Sequence, residues 1–363
     1  MNKKRILVLG STGKLGCMLL NYCKKNYIPI YATTCFSNDR LIKNQKKNFD
    51  ITHTYNLSNT NDKSNFIDLI KNNIFKVIYF LDYGSESLFY IDILLKVNSN
   101  SIFAIANKEL LIAGGKILIN RIYSSSNLLI PLDSEHFSLL NSNNNNKEID
   151  KIYISASGGP FYFKKALNLK KVSYKEVINH PKWNMGVNNS IDSSNFINKL
   201  LEIFELSSIF SIDIEKIDFL VSKEAYVHSV LVYKDNTISI NCFDNDMLIT
   251  LIKPLTFVYK CSNLSLKNNK FLDKNNLKLE LFNDKRFKIY KFFKKLKNID
   301  HKYQIKFMIL NNIAQKKYID GSIKYDDIVD YINKRLFDDF SLKSPKNIKG
   351  ILSTIDKIRN YYA

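Results

Sequence analysis

Short runs of uniformly apolar residues alternate along the first third of the chain with segments in which apolar positions recur every three or four residues. Residues 5–9 (after the opening Arg5), 77–81, 102–106 and 128–132 are runs of the first kind, as expected of strands buried on both faces. Residues 28–33 form a further predicted strand. A helix through Leu19, Leu20 and Tyr22 and another over residues 87–97 lie between them. Strand and helix in alternation predict a mostly parallel sheet with helices on its faces. The pattern changes after the polar stretch NSNNNN at 141–146. Strands are expected at 151–155, 217–221, 226–233 and 238–242, the last two joined by a turn at Lys234-Asp235-Asn236. Residues 180–202 read as a loop, with Pro181 opposing early helix formation, and then a helix. Asp192, Ser193 or Ser194 would cap that helix, and Phe196, Ile197, Leu200, Leu201, Phe204 and Leu206 would form its apolar side. Residues 262–285 lack clear periodicity and read as a linker. Residues 286–336 look helical, and a last helix is expected near 350–361.

Fold class is therefore α/β. The expected organisation is a Rossmann-like dinucleotide-binding domain over 1–132, a central α+β domain over 133–261 with a lid loop at 179–189, a linker at 262–285 and a small helical domain over 286–363.

Composition narrows the function. No apolar run is long enough for a membrane span, so no membrane partner is expected. The net charge of +20 invites a nucleic-acid reading, but its lysines are spread along the whole chain and no nucleic-acid motif accompanies them. A basic surface of this kind still attracts anionic small molecules. Cys17, Cys23, Cys35, Cys242 and Cys261 show neither a Cys-x-x-Cys pair nor zinc spacing, and read as reduced thiols. The opening MNKKRILVLG runs straight into a strand, leaving no room for a signal or transit peptide, so a cytoplasmic location is expected.

The chemistry concentrates at a few places. Gly10-Ser11-Thr12-Gly13-Lys14-Leu15-Gly16 follows the first strand and opens a helix, as in dinucleotide-binding turns. The second strand ends without the acidic residue that would hold a free ribose 2′-hydroxyl, which favours NADP. Ser193, Ser194, Asn198 and Lys199, in the first turns of the predicted helix, suit a phosphate group. Glu202 falls one turn beyond Asn198 on the same face, about 6 Å along the axis. Asp133 and Glu135 flank Ser134; in extended backbone their carboxylates would share one side and repel without a cation between them. Each feature has a plainer reading: a glycine-rich turn, a capped amphipathic helix, an Asp-Ser-Glu cap.

Together these motifs resemble the 1-deoxy-D-xylulose 5-phosphate reductoisomerase family. The match runs through His180-Pro181-Lys182-Trp183-Asn184-Met185-Gly186, Asp192-Ser193 and Asn198-Lys199-Leu200-Leu201-Glu202. It includes Ala106-Asn107-Lys108-Glu109, Asp133-Ser134-Glu135-His136 and Ser157-Gly158-Gly159-Pro160-Phe161. It continues more loosely into Leu310-Asn311-Asn312 and Gly321-Ser322-Ile323. The resemblance implies NADPH- and metal-dependent conversion of 1-deoxy-D-xylulose 5-phosphate to 2-C-methyl-D-erythritol 4-phosphate by a homodimer. The metal would be Mg²⁺ or Mn²⁺, with Co²⁺ a third candidate, held by Asp133, Glu135 and Glu202. Lys108, Glu135 and His180 would be catalytic. Ser134, Ser157, His180, Trp183, Met185, Ser193, Asn198, Lys199 and Glu202 would bind the sugar phosphate. Gly10, Thr12, Gly13, Lys14, Leu15, Asn38, Asn107, Glu109, Gly186 and Met247 would contact the cofactor. Trp183 and Met185 would belong to a closing lid.

The chain departs from the family pattern in places. Cys35-Phe36-Ser37-Asn38 keeps only the asparagine of a turn that usually carries a basic residue, so Arg40 or Lys14 would have to meet the 2′-phosphate. Ser222-Lys223-Glu224-Ala225, Asn188 and Leu200 are further departures, which touch substrate positioning more than reaction type. Two rivals remain at this level: another NADP-linked dehydrogenase of similar layout, and a binding module that has lost catalysis.

Overall fold

The run Ile6–Leu9 has no polar side chain to leave in water, and it forms β1 with every residue buried. From it the chain winds through α1 (Lys14–Lys25), β2 (Ile30–Cys35), α2 (Asp39–Asn48), β3 (Ile51–Asn56), α3 (Thr60–Asn72), β4 (Val77–Phe80), α4 (Ser87–Val97), β5 (Ile102–Ile105), α5 (Lys108–Ser124), β6 (Leu128–Pro131) and the single-turn α6 (Ser134–Ser138). The six strands pair in the order β3-β2-β1-β4-β5-β6, all parallel, which is a doubly wound dinucleotide-binding topology. The order reverses between β1 and β4, so the ligand crevice belongs at the carboxyl ends of those two strands.

The computed structural model describes residues 4–140, 142, 148–180, 186–259 and 277–363. They fall into two compact units, Met1–Leu140 with Asp246–Asn268, and Asn141–Asn245 with Asn269–Ala363.

The second unit begins with β7 (Ile149–Ala156), followed by α7 (Tyr174–Ile178), α8 (Val187–Asn195), α9 (Ile197–Phe210), β8 (Ile217–Val221), β9 (Val227–Tyr233) and β10 (Ile238–Cys242). The chain then returns to the first unit as α10 (Leu248–Thr256). There Leu251, Ile252 and Leu255 join the core of β1, β4 and α1, and the Tyr79 hydroxyl donates to the Leu251 carbonyl at 2.8 Å. β11 (Glu280–Leu281), α11 (Lys288–Lys297), α12 (His301–Ile319), α13 (Asp327–Leu336) and α14 (Ile348–Tyr362) complete the second unit. Its sheet runs β10-β9-β7-β8-β11, mixed, with β7 and β8 parallel. Among the described residues no helix is long and apolar enough to cross a membrane.

One expectation fails in an informative way. Asp192, Ser193 and Ser194 do not cap a helix; they lie inside α8, and the break to α9 falls at Phe196, in the left-handed region at φ 66°. Packing explains the difference. The Phe196 ring sits 4.4 Å from the Phe282 ring, 4.8 Å from Phe287 and 5.7 Å from Phe219, centroid to centroid. That aromatic cluster holds a bulky residue in a conformation costing about 1–3 kcal/mol. Asp192 is turned away from the helix start by α12. It accepts from Asn311 Nδ2 at 3.0 Å and from Gln315 Nε2 at 2.6 Å.

Candidate active site

In the first unit the site grows from the turn after β1. Gly10 has φ +82°, and a Cβ there would come within 2.5 Å of the Asp82 backbone nitrogen. A Cβ on Gly16 would meet the Ser11 carbonyl at the same distance, so α1 can start this close to the strand only with glycine at both places. Gly13 is the N-cap of α1 and brings no side-chain cap, leaving the helix N-terminus open to an anion. Lys14 is the first helical residue and is exposed, Thr12 is half-buried, and Leu15 packs against the core below. Asn38 caps α2 by accepting from the Leu41 N–H at 3.1 Å. Phe36, Ser37 and Arg40 are exposed around it.

At the carboxyl end of β5, Asn107 caps α5, accepting from Leu110 N–H at 2.9 Å. Its amide nitrogen donates to the Gly84 carbonyl at 2.9 Å and to Asp82 Oδ1 at 3.2 Å. Glu109 is buried, and burial pushes its carboxyl up despite contacts with Tyr83 and the Gly84 backbone. Met247 precedes α10 in this same unit.

Asp133 ends the sixth strand's loop in extended backbone, but Glu135 is already in the first turn of α6. The same-side argument for an extended Asp-Ser-Glu does not describe them, because Asp133 acts as the N-cap and turns the chain helical at Ser134. Lys108 pairs with Asp133 Oδ2, both side chains about five-sixths buried, and His136 Nδ1 lies 3.6 Å from Oδ1. Lys108 is thus no solvated helix-end charge. Ser134 Oγ donates to Glu135 Oε2 at 2.5 Å.

In the second unit, Gly158 and Gly159 carry φ of +85° and +55° and form the turn after β7. A Cβ on Gly159 would lie 2.8 Å from the Ser193 carbonyl, so glycine lets this turn lie against α8. Ser157 Oγ is 3.0 Å from His180 Nε2. Burial, and then the Lys199 charge, lower the His180 pKa to about 4, so the imidazole is neutral near pH 7. Lys199 Nζ donates to Glu202 Oε2 at 2.5 Å, and Asn198 Nδ2 pairs with Oε1 of the same carboxylate. Glu202 is 2% exposed; a carboxylate this buried needs such partners or a metal. Ser193 is half-buried on α8, and Gly186 is its N-cap. Trp183 and Met185 lie outside the described residues, within the stretch 181–185 of the expected lid, and the lid's last three residues, 187–189, are not loop but the first turn of α8.

Of the departures, Ser222 is fully buried and Ala225 adopts φ 57°. His228 stacks on Phe243 at 3.8 Å and approaches its carbonyl at 3.2 Å. Asp82 escaped the sequence reading. A lone aspartate carries no spacing signal, and only its place just past a strand at the topological switch points to it.

Comparison with known proteins shows the family and the fold. The family model described as the 1-deoxy-D-xylulose 5-phosphate reductoisomerase C-terminal domain matches residues 129–210, and a second, described as the DXP reductoisomerase C-terminal domain, matches 244–361. A 1-deoxy-D-xylulose 5-phosphate reductoisomerase of Pelagibacter ubique (strain HTCC1062) is 31% identical over 98% of this chain and 97% of its own length. The chain belongs to the 1-deoxy-D-xylulose 5-phosphate reductoisomerase family. A family member from Clostridium novyi (strain NT) is 29% identical over 99% of this chain and 98% of its own. The fold agrees as well. The reductoisomerase of Zymomonas mobilis, solved with NADPH, superposes with TM-score 0.82 at 21% identity, covering 99% of this chain and 98% of that one. A DOX-P reductoisomerase solved with NADPH, fosmidomycin and magnesium gives TM-score 0.82 at 21% identity, over 99% and 97%.

Proposed function

We propose that this protein converts 1-deoxy-D-xylulose 5-phosphate and NADPH to 2-C-methyl-D-erythritol 4-phosphate and NADP⁺. The observation that carries the reading is kinship along the whole chain, 31% identity over 97% of the Pelagibacter enzyme.

The residues present fit both implied groups. Gly10 and Gly16 leave no room for a side chain beside the open N-terminus of α1, which suits a pyrophosphate. Asp133, Glu135 and Glu202 are hard oxygen donors, and their sequence match supports them as one ligand set for Mg²⁺ or Mn²⁺. Bound NADPH supplies the hydride, and the bound cation supplies Lewis-acid polarisation of the sugar's carbonyl and hydroxyl oxygens.

The remaining work falls to the chain. Lys199, Asn198, Ser193 and Ser157 grip the phosphate. Lys199 would exchange its contact with Glu202 for the phosphate, which would leave that carboxylate to hold the cation. Lys108 and Ser134 steady substrate oxygens. Neutral His180, beside Ser157, donates or accepts a hydrogen bond without adding charge. The family resemblance assigns Trp183 and Met185 the role of keeping water from the sugar. Asn107, Glu109 and Met247 border the nicotinamide. Reduced thiols at Cys17, Cys23, Cys35 and Cys242 support a cytoplasmic setting, and a homodimer follows the family pattern.

The test is NADPH oxidation followed at 340 nm, with and without the deoxyxylulose phosphate and with Mg²⁺ or Mn²⁺ added or chelated; the wavelength is the ordinary one, at about the absorption maximum of a reduced nicotinamide. Oxidation only with sugar phosphate and cation together supports the reading. Oxidation indifferent to either would sink it.

A further inference from the structure

Asp82 lies two residues past β4, at the point where the strand order of the first sheet reverses. The glycine turn after β1 is pressed against it, and a Cβ on Gly10 would sit 2.5 Å from the Asp82 nitrogen and 2.7 Å from its Cα. The carboxylate is divided between two donors. Ser87, the first residue of α4, donates to Oδ2. Asn107, the cap of α5, donates to Oδ1 at 3.2 Å. The same Asn107 nitrogen also donates to the Gly84 carbonyl, and its oxygen receives the Leu110 N–H. Asn107 therefore has both donor hydrogens and its acceptor assigned, and its rotamer is fixed.

We infer that Asp82 is a positioning residue for the cofactor. It ties the loop after β4 to the cap of α5, and so sets the crevice wall on which the dinucleotide lies. Three observations carry this. The residue stands at the switch point, where ligands of open parallel sheets bind. Its carboxylate bridges two helix N-termini that face the crevice, from α4 and α5. Its backbone fixes how close the glycine turn can come. Burial also pushes its carboxyl up, consistent with a group kept for geometry rather than for charge. A charged side chain aimed at the pyrophosphate would oppose binding; here both oxygens are instead turned to Ser87 and Asn107.

The inference rests on the first unit being the NADPH site, so the test separates the two. NADPH binding to the full-length protein is measured by titration calorimetry in the absence of substrate, for the unsubstituted protein and for Asp82→Ala, Asp82→Asn and Ser87→Ala. Melting temperatures are recorded alongside. If the unsubstituted protein does not bind NADPH, the assignment of the first unit fails. If it binds, Asp82→Ala should raise the NADPH Kd about tenfold, the effect of losing one partly buried hydrogen-bonded contact. Asp82→Asn keeps an acceptor for Asn107 and should bind within about threefold of the unsubstituted protein, while Ser87→Ala should fall between the two. In turnover, KM for NADPH should rise in Asp82→Ala with KM for the sugar phosphate held. NADPH binding unchanged in Asp82→Ala, or Asp82→Asn as impaired as Asp82→Ala, overturns the inference. Should Asp82→Ala fail to fold, Ser87→Ala decides: an unchanged NADPH Kd there overturns it.

Discussion

Ser157 Oγ and His180 Nε2 stand 3.0 Å apart, joining the turn after β7 to the start of the segment that leads into α8. The imidazole there is neutral, because burial and the Lys199 charge both oppose its protonation. In the unfolded chain a histidine takes up a proton near pH 6.5, while in the fold it waits until about pH 4. The unfolded state therefore binds more protons between those values. Stability is unaffected by this group above pH 6.5 and declines as pH falls from there toward 4. An NMR titration of the His180 ring should show a midpoint well below the usual histidine value. Lys199→Ala should move that midpoint upward, and an unmoved midpoint would remove Lys199 as a cause.

Glu202 gives the second prediction. Glu202→Gln keeps the volume and removes the charge. Turnover should fall at least about 10²-fold, as for loss of one preorganised electrostatic contact. Lys199, 8% exposed by its side chain, would keep only a neutral partner, so the melting temperature should fall too. Near-normal activity at limiting Mg²⁺ would remove Glu202 from the metal ligand set.

Cofactor choice provides the third. Ser37 offers no charge to a 2′-phosphate, and Arg40 and Lys14 are the exposed cations expected to meet it. The protein should prefer NADPH to NADH, and Arg40→Ala or Lys14→Ala should narrow that preference by roughly ten- to a hundredfold, the loss of one charged hydrogen bond. Steady-state comparison of the two cofactors measures it. If neither substitution alters the ratio, neither residue reads the phosphate.

A fourth concerns Gly159. Its φ of +55° and the 2.8 Å approach of the Ser193 carbonyl leave Gly159→Ala both strained and crowded. The variant should lose about 1–3 kcal/mol of stability by denaturant titration and bind the sugar phosphate more weakly, since the turn carrying Ser157 must shift. Unchanged stability would mean that the turn yields without cost.

Much of this was legible beforehand, for identifiable reasons. Uniform apolar runs such as Ile6–Leu9 and Val77–Phe80 permit little besides a buried strand, and Gly10 announced its turn because no other residue fits there. β3 leaves little trace in the sequence, since Ile51–Asn56 is largely polar and lies at the sheet's edge. The break at Phe196 left no local trace. It depends on Phe282 and Phe287, many residues away, whose rings make a left-handed phenylalanine affordable. The helical start at Ser134 was hidden because a spacing of two reads equally well as strand or as cap, and the capping contact of Asp133 chose the latter.

The return of α10 to the first sheet has a consequence for how the protein is made. Leu251, Ile252 and Leu255 cover apolar surface of β1, β4 and α1, and the Leu251 carbonyl accepts from the Tyr79 hydroxyl. On the ribosome the six parallel strands emerge long before that cover does, with about half of the second unit translated in between. The nascent sheet must therefore wait, with part of its face wet and adhesive, for a helix that arrives late. Substitutions in α10 should be felt twice, as aggregation during synthesis and as weakness of the finished core.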